Sequence, residues 1–142
     1  MTEVKWKNLF CKLKENQVVL TSMQPHDPMP NAKYCRESPH RTIGHLTACQ
    51  IAWLPLLKQI EKGDSKGSIP IHPYTLFDDQ NFSIASWDEL ISLYEKGREE
   101  WIAILNDIDL RQEIQTSKRT LTPQTLTKRL VEHETNHLRD LT

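Results

Sequence analysis

Thr122-Pro123-Gln124-Thr125-Leu126-Thr127-Lys128-Arg129-Leu130-Val131-Glu132-His133-Glu134-Thr135-Asn136-His137-Leu138-Arg139-Asp140-Leu141 reads as one amphipathic helix. Thr122 can cap its start, and Pro123 fits the first helical position, where a missing N–H removes no helical hydrogen bond. Leu126, Leu130, His133, His137 and Leu141 then recur at steps of three and four, the spacing of a core-facing stripe. Two imidazoles therefore sit one turn apart on the inward side. Unpaired, each would cost about 1–3 kcal/mol in an apolar layer, and a shared metal ion removes that penalty.

Working outward, three more segments carry helical periodicity. Residues 3 to about 22 place Trp6, Phe10, Leu13, Gln17 and Leu20 at helical steps, and Pro25, Pro28, Pro30 and Pro39 make residues 24 to 39 a loop. Ser38-Pro39 repeats the cap-and-proline start, and Leu46, Cys49, Trp53, Leu56, Leu57 and Ile60 follow on one face. Pro55 should bend this second helix near Ile51, and Gly63 should stop it. Lys62 to Ala85, with two prolines and an Asp-Asp-Gln-Asn run, reads as a second long loop, either functional or a crossover over one flank. Ser86-Trp87-Asp88-Glu89 is a capping-box pattern, and Trp87, Leu90, Tyr94, Trp101, Ile104, Leu105 and Ile108 mark the third helix. Four amphipathic helices without a convincing strand predict an all-α four-helix bundle, with long connections between helices 1 and 2 and between helices 2 and 3.

Length and charge bound the rest. A chain of 142 residues suits one domain, here 1–142. Lysines and arginines number 18 against 19 acidic residues, so no general attraction to nucleic acid or to an anionic membrane is expected. The N-terminus lacks a signal-peptide core, and the longest apolar run, Ile51 to Leu57, is far shorter than a membrane span. Cys11, Cys35 and Cys49 are odd in number and lack Cys-x-x-Cys spacing, which fits reduced thiols in a cytoplasmic protein. Trp6, Trp53, Trp87 and Trp101 are compatible with a homodimer surface or with a tryptophan-rich core.

Of the six histidines, His26 and His72 fall in proline-rich loops and are read as solvated, and His40 as a first-turn residue of helix 2 on surface or capping duty. His45 alone joins His133 and His137 on a core-facing helical position, and becomes the third candidate ligand. In a simple up-down-up-down bundle helices 2 and 4 run parallel. His45 then lies six residues past Pro39 and the midpoint of the pair twelve past Pro123, an offset of roughly 9 Å that demands a stagger of about two turns. Three imidazoles around a divalent ion leave positions for water or substrate, the arrangement of catalytic sites. Zinc and nickel suit such donors best, and iron and manganese are compatible with them. Cys49, one turn from His45, is either packing or a fourth ligand that would close the site.

His133-Glu134-Thr135-Asn136-His137 also spells the His-Glu-x-x-His pattern of zinc proteases, whose glutamate activates water. Only five residues follow His137, leaving little for a downstream ligand, and no strand pattern offers a peptide-binding edge. Glu134 is thus read either as an exposed carboxylate near Arg129 or as a residue reaching the metal's water. The catalytic residues stay unassigned.

The run Thr42-Ile43-Gly44-His45-Leu46-Thr47-Ala48-Cys49-Gln50-Ile51-Ala52-Trp53, taken with His133-Glu134-Thr135-Asn136-His137-Leu138, resembles the DinB-like superfamily of small four-helix bundles. The resemblance spans nearly the whole chain. It implies a divalent metal held by His45, His133 and His137. The superfamily includes thiol-dependent transferases and isomerases, and an open ion activates a small nucleophile. The expected reaction is therefore a transferase or hydrolase one on a small-molecule substrate, with a low-molecular-weight thiol or water as the nucleophile. The alternative is a non-enzymatic, metal-stabilised sensor or interaction module.

Overall fold

A computed structural model of the chain describes residues 3–23, 39–68, 72–80, 82 and 85–141. Seven elements follow in order: α1 Glu3–Thr21, α2 Pro39–Glu61, α3 Pro73–Asp79, α4 Trp87–Asp107, β1 Ile114–Gln115, β2 Thr120–Leu121 and α5 Pro123–Leu141. Helices α2, α4 and α5 start where the cap signals place them, and α1 covers the segment its periodicity marks. Ser86 Oγ accepts from the Glu89 N–H at 3.2 Å at the head of α4, and Thr122 Oγ1 accepts from the Thr125 N–H at 3.1 Å at the head of α5. Helix α2 runs on through Pro55 to Glu61, and Gly63, at φ 86°, provides the left-handed turn that ends it. The proline-rich loop at 24 to 38 lies outside the described residues.

Two short elements depart from the sequence reading. The expected loop from Lys62 to Ala85 contains α3, whose Phe77 is buried and meets Phe82 edge-on at 6.2 Å. Seven residues are too few to display helical periodicity, and burial of Phe77 rather than pattern holds the helix in place. Between α4 and α5 the chain forms an antiparallel hairpin pairing Ile114 with Leu121 and Gln115 with Thr120. Two-residue strands are too short to show alternation, so the expectation of no strands fails here.

The core has two parts. One gathers Leu13, Leu57, Ile60, Trp101, Leu105, Leu126 and Leu130, and the other Leu20, Ile43, Leu46, Trp87, Leu90, Tyr94 and Leu138. Following each helix from one part to the other gives its direction. Helices α1 and α5 run from the first part to the second, while α2 and α4 run from the second to the first. The bundle is therefore up-down-down-up, which corrects the simple up-down-up-down expectation. Consecutive parallel helices α2 and α4 pack on each other, and the segment between them must carry the chain back along the bundle, as a crossover does. Helix α1 packs against α4 and α5, and α2 against the same two.

A polar layer separates the two parts. Each long helix supplies it from within its buried stripe: Asn16 from α1, Gln50 from α2, Arg98 from α4 and Glu134 from α5. No helix among the described residues is long and apolar enough to cross a membrane.

Candidate metal centre

His45 lies six residues after the first residue of α2, and the midpoint of His133 and His137 lies six residues before the last of α5. Because the two helices are antiparallel, these positions stand level at one end of the bundle. The 9 Å offset came from the wrong relative direction, and no stagger is needed. His45 Nε2 lies 3.4 Å from His133 Nε2, and His137 Nε2 lies 3.1 Å from the same atom. The three rings meet edge-on, with centroids 5.1, 4.9 and 4.6 Å apart.

This convergence has a chemical consequence. An imidazole Nε2 carries either one proton or one lone pair, so His133 Nε2 can satisfy only one of its two neighbouring nitrogens through hydrogen bonding. A cation between the rings would engage all three lone pairs. At a zinc–nitrogen distance of about 2.0–2.1 Å, donors of a tetrahedral ion lie about 3.4 Å apart, and donors at right angles about 2.9 Å apart. Both observed separations fall in that interval. Burial, and then the neighbouring His137, hold the His133 imidazole below its ordinary pKa, which keeps it in the neutral form that a metal requires. Its Nδ1 is buried and meets no hydrogen-bond partner among the described residues.

Cys49, one turn along α2, is buried, with Sγ 3.7 Å from His45 Nε2. His45, Cys49 and His133 form a group of donor atoms within 4.8 Å of one another that could hold a metal ion. His45 and Cys49 are buried, whereas His133 and His137 are half-buried, so the cluster reaches the surface on the α5 side. The histidine pair thus lies at the edge of the buried stripe of α5. Leu130, Glu134 and Leu138 occupy its centre, turned from the stripe read in the sequence.

That rotation overturns both readings of Glu134. It is fully buried, neither exposed beside Arg129 nor free to reach a metal's water, and it is ion-paired with Arg98. Tyr94 Oη also donates to Oε2 at 3.3 Å, and Asn16 Nδ2 to Oε1 at 3.3 Å. Arg98 further donates from Nε to Gln50 Oε1 at 2.7 Å and from Nη1 to the Leu13 carbonyl at 2.9 Å. Burial pushes the Glu134 carboxyl up, and Arg98, Asn16 and Tyr94 pull against it. Burial and then the Glu134 charge raise the Tyr94 hydroxyl, which stays a proton donor. The network fixes the rotation of α5 one residue from His133.

Sequence reasoning missed these supports, although a signal exists. Arg98 falls in the gap of the helix-3 stripe between Tyr94 and Trp101, four residues after one and three before the other. In α1 the buried polar residue is Asn16, and Gln17, named in the sequence stripe, is only half-buried. Of the other histidines, His72 is exposed, as expected for a loop residue, His40 lies in the first turn of α2, and His26 lies outside the described residues.

No curated protein and no solved structure matches the chain. Residues 20–141 match the DinB superfamily, and the chain belongs to that superfamily.

Proposed function

We propose that this protein is a divalent-metal enzyme in which His45, His133 and His137 hold the ion and leave a coordination position open. It is a transferase or hydrolase acting on a small molecule, with a low-molecular-weight thiol as the favoured class. The observation that carries the reading is the approach of the His45 and His137 Nε2 atoms to His133 Nε2, at separations suited to one ion. Half-burial of His133 and His137 leaves room for exchange on that side. A divalent ion there would act as a Lewis acid, lowering the pKa of a thiol or water brought to it. Zinc or nickel suits the donors best, with iron and manganese also compatible. The working setting is the cytoplasm, where the Cys11 and Cys49 thiols would remain reduced.

Metal analysis of protein purified without a histidine tag tests this. Wild type should carry about one equivalent of a divalent metal, and a His133→Ala, His137→Ala variant almost none. Equal content in both would refute the three-histidine site.

Cys49 supports a second reading, a closed ion that only braces the bundle. A thiolate at about 2.3 Å and an imidazole at about 2.0 Å on one tetrahedral ion lie about 3.6 Å apart, close to the 3.7 Å between Cys49 Sγ and His45 Nε2. Cobalt substitution separates the two. A thiolate-to-cobalt charge-transfer band lost in Cys49→Ala would favour the closed ion, and its absence in wild type the open one.

A further inference from the structure

A concavity lies toward the end of the bundle away from the histidine cluster. It is a cleft of about 690 Å³ between α2, the start of α3, the hairpin and α5, within the size range of small-molecule sites. Its apolar wall includes Leu121, Leu126 and half-buried Trp53. Lys118 and Arg119 at the hairpin turn and Arg129 on α5 supply its charge, and among the described residues no carboxylate lines it. In a chain with 18 basic and 19 acidic residues, three cations without an acid among the lining residues is a local segregation of charge. None of the three makes an ion pair among the described residues.

Hydrogen bonds fix the backbone of the hairpin turn that carries Lys118 and Arg119. Thr116 Oγ1 accepts from the Lys118 and Arg119 N–H groups at 3.3 and 3.2 Å, and the Thr116 N–H donates to the Arg119 carbonyl at 2.8 Å. The hairpin is tied in turn to the segment that follows α2, with the Gln115 N–H donating to the Ser65 carbonyl and the Gly67 N–H to the Gln115 carbonyl, both at 2.9 Å. A fixed turn loses less freedom on binding an anion than a flexible loop does. Arginines offer planar, forked donors that match carboxylate, sulfonate or phosphate groups.

We propose that this cleft binds a small organic anion with an apolar or aromatic body, its charge met by Lys118, Arg119 and Arg129 and its body seated against Trp53, Leu121 and Leu126. Arg129 stands one turn before His133 on α5, and the cleft shares no residue with the histidine cluster.

The test uses a matched pair of probes, 1-anilinonaphthalene-8-sulfonate and its uncharged analogue N-phenyl-1-naphthylamine. Each is titrated by fluorescence into full-length, EDTA-treated protein, so the result bears on the cleft and not on the metal reading. Near-UV circular dichroism checks that each variant is folded. The sulfonate should bind at one site, and Arg119→Gln with Arg129→Gln should weaken it about tenfold, while Arg111→Gln, an exposed cation elsewhere, leaves it unchanged. The uncharged analogue should bind wild type and the double variant alike. Undiminished sulfonate binding in the double variant, or equal weakening of both probes, would overturn the proposal.

Discussion

Glu134 and His133 are neighbours in sequence with opposite surroundings, one sealed among donors and the other at the edge of the bundle. Glu134→Gln leaves the Arg98 guanidinium buried without its counter-charge, and should lower stability by about 3–5 kcal/mol in urea unfolding. Arg98→Met should cost a similar amount. Combining it with Glu134→Leu should cost less than the sum of the single changes, since no isolated charge then remains. His133 sets a pH dependence in metal-free protein. Its folded pKa lies below the ordinary value of 6.5, so the folded state takes up its proton less readily than the unfolded chain. The stability that depends on its neutral form is complete above 6.5 and falls as pH drops from there toward the lowered folded value. Urea midpoints of EDTA-treated protein should decline as pH falls below the ordinary histidine value of 6.5, and His133→Gln should flatten part of that decline.

Within α4, Gly97 marks where the helix meets α2. A methyl group there would come within 2.6 Å of Gln50 Nε2, the amide that donates to the Tyr94 carbonyl at 2.9 Å and whose oxygen accepts from Arg98. In an exposed helix, glycine to alanine stabilises by about 1 kcal/mol. Gly97→Ala should instead destabilise by about 1–3 kcal/mol, because the crowding falls on a buried hydrogen-bonded amide. A Gln50→Ala background should remove much of the Gly97→Ala penalty, as thermal denaturation of the two variants would show. At the head of the same helix, Ser86→Ala removes the acceptor for the Glu89 N–H and should cost about 1 kcal/mol in the same assay.

Across the whole bundle, the histidine cluster joins the beginning of α2 to the end of α5, so a bound ion would cross-link helices remote in sequence. Added zinc should raise the thermal midpoint of EDTA-treated wild type progressively with concentration, and should leave the His133→Ala, His137→Ala variant unmoved. The long helices and their starts were legible in the sequence because caps, prolines and periodicity are local. Ser86, Pro39 and Thr122-Pro123 act within one turn of themselves. The spacing of His133 and His137, and the helical position of His45, were legible for the same reason. Helix direction was not, since nothing local states which way a neighbour runs, and that direction turned a 9 Å mismatch into level alignment. Nor was the rotation of α5. Leucines and histidines at steps of three and four fit two adjacent stripes, and only the Arg98, Tyr94 and Asn16 side chains from other helices choose the one that buries Glu134. Sequence by itself determined the four long helices and the helical positions of the three histidines. Tertiary packing alone decided that the histidines converge, because His45 and His133 lie 88 residues apart along the chain.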